Sequence, residues 1–176
     1  MGRPIRDLAN GVNLSDRHLQ AIGEVAVRWA ELEENIKEMV WDLANIRHTS
    51  ALAVTAHVNE STLVNIAKSL VELLVTGPEN KLAEEIRDHL TYIIEKVYPQ
   101  RNDMVHSTFG HSGIDSKTQI LPIRARGKLK IGPRRDYSAD DMNAIAQEIY
   151  EANEKLYGYV LRLKELIPTW RHTKKE

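Results

Sequence analysis

The sequence predicts an all-α fold, a four- to five-helix up-down bundle carrying a small inserted β-hairpin. Three observations predict it. Two long stretches, Ile22 to Ile46 and Met142 to Leu166, repeat apolar residues in alternating steps of three and four, the spacing of one helix face. Two shorter stretches between them share the helical period. One segment, residues 117–135, breaks the pattern with alternating apolar and basic residues around a glycine, as hairpins do.

The first helix is expected to start at Ser15 or Asp16, both good N-caps, with an inner seam of Ile22, Val25, Trp29, Leu32, Ile36, Met39, Leu43 and Ile46. Arg28, Glu31, Glu33, Glu34, Lys37 and Glu38 form its solvated side. A short helical piece follows from Ser50 to Val58. The next helix covers Glu60 to Val75, with Leu63, Ile66, Leu70 and Leu73 or Leu74 inward, and Thr76-Gly77-Pro78 ends it. Another runs from Glu79 to Tyr98, with Leu82, Ile86, Leu90, Ile93 and Val97 on one side. Pro99 predicts a kink or break, because proline disfavours helical geometry in the residue before it; a short helix is expected from Arg101 to Thr108 and a loop from Phe109 to Gly113.

Thr118 to Ala125 and Lys128 to Gly132 are the expected hairpin strands, turning at Arg126-Gly127. The segment carries Lys117, Arg124, Arg126, Lys128, Lys130, Arg134 and Arg135 and no acid, enough cations to meet several phosphates. The last helix opens at Ser138, with Asp140 and Asp141 in its first turn. Its seam is Met142, Ile145, Ile149, Ala152, Leu156, Tyr159, Leu163 and Leu166, and Pro168 stops it. Trp29, Trp41 and Tyr159 are expected in the core, and His57 and His89 as ordinary hydrogen-bonded histidines.

With 176 residues, 42% apolar and 28% charged, the chain suits one domain, residues 1–176, with an N-terminal arm (1–14) and a polar tail (169–176). A net charge of −1 excludes a general polycation, so any nucleic-acid surface must be local. The absence of cysteine excludes disulfides, thiolate zinc sites and cysteine nucleophiles, and fits a cytoplasmic setting. No apolar run approaches the ~20 residues that span a bilayer, and Met1 to Asp7 lacks a signal-peptide core, so no membrane partner is expected.

The segment Arg101-Asn102-Asp103-Met104-Val105-His106 gathers the chemistry. A guanidinium stabilises a phosphate gaining negative charge, and an imidazole moves protons near neutral pH. Together they suit attack of an RNA 2′-hydroxyl on the adjacent phosphate without a metal or other cofactor. On a straight helix, residues five apart diverge by about 140° and about 7.5 Å along the axis, so Arg101 and His106 are expected to converge only by unwinding near Pro99 or across a two-fold axis. Asn102, four before His106, shares its face and is expected to orient the imidazole. Met104 and Val105 are the expected apolar anchors, and Asp103 points elsewhere.

This Arg-x4-His segment in an all-helical chain resembles the HEPN superfamily. The resemblance implies a helical bundle that pairs two motifs as a homodimer. It also implies a metal-independent endoribonuclease of the toxin–antitoxin or phage-defence kind, with RNA and an antitoxin protein as partners. Arg101, Asn102 and His106 fall on the family's motif. Some of its toxins carry a modified Tyr two residues after the His, where this chain has Thr108. Other members are non-catalytic binding modules, the alternative outcome here. Arg124, Arg126, Lys128, Lys130, Arg134 and Arg135 are the expected RNA-backbone contacts.

Overall fold

A computed structural model describes residues 14–75, 80–111, 117–126 and 128–166, with the backbone alone at 111, 123–126 and 128–130. The expected arm up to residue 13, the Thr76-Gly77-Pro78 stop, the loop beyond His111, the Gly127 turn, Pro168 and the polar tail lie outside the described residues. The chain forms α1 (Asp16–Leu43), α2 (His48–Thr55), α3 (Glu60–Leu74), α4 (Asn80–Tyr92), a π-helical segment (Ile93–Val97) and α5 (Tyr98–Val105). Strands β1 (Thr108–His111), β2 (Lys117–Leu121), β3 (Ile123–Arg126), β4 (Lys128–Ile131) and β5 (Arg135–Ser138) precede α6 (Ala139–Leu166). The mostly-α class with an inserted hairpin holds. Among the described residues no helix is long and apolar enough to cross a membrane.

The helix ends follow local chemistry. Ser15 caps α1 by accepting the His18 N–H, and His18 Nδ1 accepts the Ser15 N–H in return. At the other end Asn45 adopts a left-handed φ of 52°, and Ile46 N–H reaches Trp41 O at 3.0 Å, so α1 stops before Ile46. Asn59 caps α3 through the Thr62 N–H. Ser138 caps α6: its Oγ accepts the Asp141 N–H, and Asp141 Oδ2 accepts the Ser138 N–H at 2.8 Å. These bonds from Ser138 favour the ionised carboxylate and lower the pKa of Asp141.

Contacts gather into two compact units, one of residues up to 29 together with 98–149, the other of residues 30–97 and those from 150 onward. The second unit is helical. Leu82, Ile86, Leu90, Ile93 and Val97 are buried as their spacing predicts. Each such side chain contributes roughly 1.5–3 kcal/mol on leaving water. The inward face of α3 differs from expectation. Leu63, Val64, Ala67 and Val71 are buried, whereas Leu73 is 71% exposed and Ile66 is exposed as well. Two apolar stripes compete on this helix, and the one containing small Ala67 allows close packing on α4. His89 is buried, its Nε2–H donating to Ala152 O at 2.8 Å, between the rings of Tyr92 and Tyr159. His57, by contrast, lies exposed in the turn after α2.

The first unit holds the strands. Phe109 to His111, expected as loop, belongs to β1, which pairs antiparallel with β2; β2 in turn pairs with β5. The long strand expected from Thr118 to Ala125 is divided at Pro122, which cannot donate to a ladder. Its first part joins the three-stranded sheet, and its second pairs with β4 in the expected hairpin. Gly132 closes this hairpin by donating its N–H to Pro122 O at 2.8 Å. A Cβ there would meet Pro122 Cβ at 3.2 Å, a contact tight enough that the proline ring would have to shift by a few tenths of an ångström.

Candidate functional site

Pro99 sits inside the first turn of α5 rather than at a break. A proline lacks the N–H that an α-helix would use there, and its ring crowds the carbonyl four residues earlier. The π-helical turn Ile93–Val97 comes just before it, so the chain passes Pro99 without leaving the helix. Tyr98 and Arg101, three apart, therefore lie on one face of α5.

Both side chains meet Trp29 of α1. The Tyr98 ring lies 5.4 Å from the Trp29 ring, and the Arg101 guanidinium carbon lies 5.5 Å from its centroid. Trp29 itself is 1% exposed, in the core as expected. A guanidinium over an indole face gains roughly 0.5–2 kcal/mol and loses freedom to swing.

Arg101 and His106 come together within one chain. Arg101 Nη1 lies 2.9 Å from His106 Nε2 and donates to Asn102 Oδ1, also at 2.9 Å. The straight-helix expectation that Arg101 and His106 diverge is thus corrected. Helix α5 ends at Val105, not Thr108. His106 leaves the helical path while its N–H still bonds Asn102 O at 3.0 Å, so its ring returns toward Arg101. Asn102 also differs from expectation: its side-chain oxygen holds the guanidinium rather than the imidazole. Arg101 and Asn102 are half-buried and His106 is exposed, so the pair is open to a ligand on the histidine side. Arginine has only donors, so Nε2 is the accepting atom in this contact. Arg101 Nε is buried without a partner.

The rest of the motif anchors α5. Met104 is fully buried and Val105 half-buried. Asp103, buried and turned elsewhere as expected, sits 3.6 Å from Arg135 of β5. Gln100 donates to Glu148 of α6 at 2.8 Å. Hydrogen bonding to Tyr137, with the Asp103 charge, raises the Arg135 pKa further above its ordinary value. Arg135 thus ties β5 to α5, while Arg134 is exposed. The side chains of Arg124, Arg126, Lys128 and Lys130 lie outside the described residues, though the backbone pairs Arg124 with Lys130 and Arg126 with Lys128.

The contact of Trp29 with Arg101 and that of Arg135 with Asp103 are what the sequence did not reveal. The heptad seam places Trp29 inward but says nothing of Arg101, 72 positions away. Arg135 meets Asp103 only because β5 pairs with β2. Among the described residues no three His, Asp or Glu side chains gather as metal ligands. No family model, curated protein or solved structure matches the chain.

Proposed function

We propose that the chain is a metal-independent endoribonuclease that cleaves RNA by 2′-hydroxyl transesterification. The observation that carries this reading is the contact of Arg101 Nη1 with His106 Nε2 at 2.9 Å, on an exposed imidazole. A phosphodiester reaching Arg101 would compete for the guanidinium and leave the Nε2 lone pair facing the 2′-hydroxyl. His106 takes that proton as the 2′-oxygen bonds to phosphorus. The bond to the 5′-oxygen breaks, the leaving oxygen takes a proton from solvent, and Arg101 stabilises the charge on the phosphoryl oxygens. The products are a 2′,3′-cyclic phosphate and a 5′-hydroxyl. The basic ribbon, with Arg134 and Arg135, would hold the RNA backbone. The resemblance of the Arg101–His106 segment to the HEPN motif extends the proposal to a homodimer, in a toxin or phage-defence role with an antitoxin partner.

Incubation of the intact chain with RNA in EDTA, beside His106→Ala and Arg101→Ala, tests the reading. The intact chain is expected to cut and both variants to be at least a hundredfold slower. An inert intact chain, or variants that cut as well as it does, rejects it.

One observation favours a second reading, a non-catalytic RNA-binding module. Nη1 of the motif is already engaged, by both Asn102 and His106, and the guanidinium rests on Trp29. That reading expects salt-dependent RNA binding without cleavage.

A further inference from the structure

The Arg101–His106 hydrogen bond has a direction. Imidazole side chains in water favour the tautomer with hydrogen on Nε2, but a guanidinium donor on Nε2 is compatible only with hydrogen on Nδ1. The donor is held on three sides. Trp29 lies under the guanidinium plane, Asn102 Oδ1 takes a hydrogen from the same Nη1, and Nε is enclosed where no solvent reaches it. Trp29 in turn meets the Tyr98 ring, three residues before Arg101 on α5. A buried indole contacting two residues of α5 is therefore the part that aims Nη1.

We infer that this hydrogen bond presets His106 in the Nδ1–H tautomer, and that Trp29 is the positioning residue that maintains it through Arg101. The consequence for catalysis rests on the nuclease reading. The lone pair that accepts the 2′-hydroxyl proton then belongs to Nε2, Nδ1 keeps its hydrogen throughout, and no tautomer exchange precedes the chemistry. Trp29 touches neither phosphate nor sugar; its effect passes entirely through Arg101.

Nitrogen-15 NMR of the full-length labelled chain at about pH 8, without RNA, reads the tautomer of His106 directly, with His106→Asn identifying the signal. Wild type is expected to show Nδ1 protonated and Nε2 bare. Arg101→Ala is expected to transfer the hydrogen to Nε2, and Asn102→Ala and Trp29→Phe to give mixtures. Hydrogen on Nε2 in the wild type overturns the inference, as does one unchanged tautomer in every variant that folds. Since Trp29 is buried, Arg101→Ala and Asn102→Ala keep the test decisive if Trp29→Phe does not fold. With RNA, Trp29→Phe is expected to lower kcat roughly ten- to a hundredfold while KM stays within about twofold. A wild type that shows the Nδ1–H form but leaves RNA uncut rejects the nuclease reading and leaves the tautomer assignment standing.

Discussion

His89 and His106 use the same ring atom in opposite senses. In the helical unit, His89 is buried and its Nε2–H donates to Ala152 O. In the unit that holds the strands, His106 is exposed and its Nε2 accepts from Arg101. A buried imidazole with one carbonyl partner and flanking tyrosines is structural: its hydrogen is committed, and burial lowers its pKa. An exposed imidazole whose lone pair faces a cation is equipped to receive a proton once an anion claims that cation. The sequence motif singles out His106 and leaves His89 an ordinary histidine, and the partner atom of each ring shows how the two differ.

The largest effect expected from this contrast is on activity. His106→Ala should reduce RNA cleavage by about 10²–10⁴-fold and leave the unfolding midpoint nearly unchanged, because the ring is exposed. His89→Ala should do the reverse. It should cost about 2–4 kcal/mol in denaturant unfolding, through the cavity and the orphaned Ala152 carbonyl, while cleavage by the folded fraction persists.

Acidification sharpens the comparison further. The folded chain holds the His89 pKa below its ordinary value, chiefly through burial. The unfolded chain, with a pKa of about 6.5, therefore binds more protons once pH falls below that value. The His89 contribution is fully present above that pH and declines as pH drops from there toward the lower folded value. Urea unfolding followed across this window should show the decline in wild type, and His89→Gln should flatten it. A wild-type midpoint that rises on acidification would remove the structural role assigned to His89. The smallest effect concerns the cap of α6. Ser138→Ala should cost about 1 kcal/mol by thermal unfolding without altering His106 chemistry.

Elements whose evidence is local were legible in the sequence. The buried faces of α4 and α6 follow from spacing alone: Leu82 to Val97 and Met142 to Leu163 are buried where the period places them. Only Leu166, at the end of the α6 seam, is 40% exposed. Helix α3 carries two apolar stripes, so its spacing alone does not choose the inner face; the choice lies with the neighbour that Ala67 lets approach. Strands β1 and β5 have four residues each, too few to show alternation, and exist because β2 pairs with both. The motif was visible as residue types, but its geometry was not. Its closure depends on a helix that ends at Val105 and a tryptophan from α1 beneath the guanidinium.

The chemical identity of the RNA ends formed in EDTA tests the central claim most directly. Mass spectrometry of a defined oligoribonucleotide should show 2′,3′-cyclic phosphate and 5′-hydroxyl termini from the intact chain and no product from His106→Ala. Products ending in 3′-hydroxyl and 5′-phosphate, or an oligoribonucleotide left intact by the wild-type chain, would contradict it.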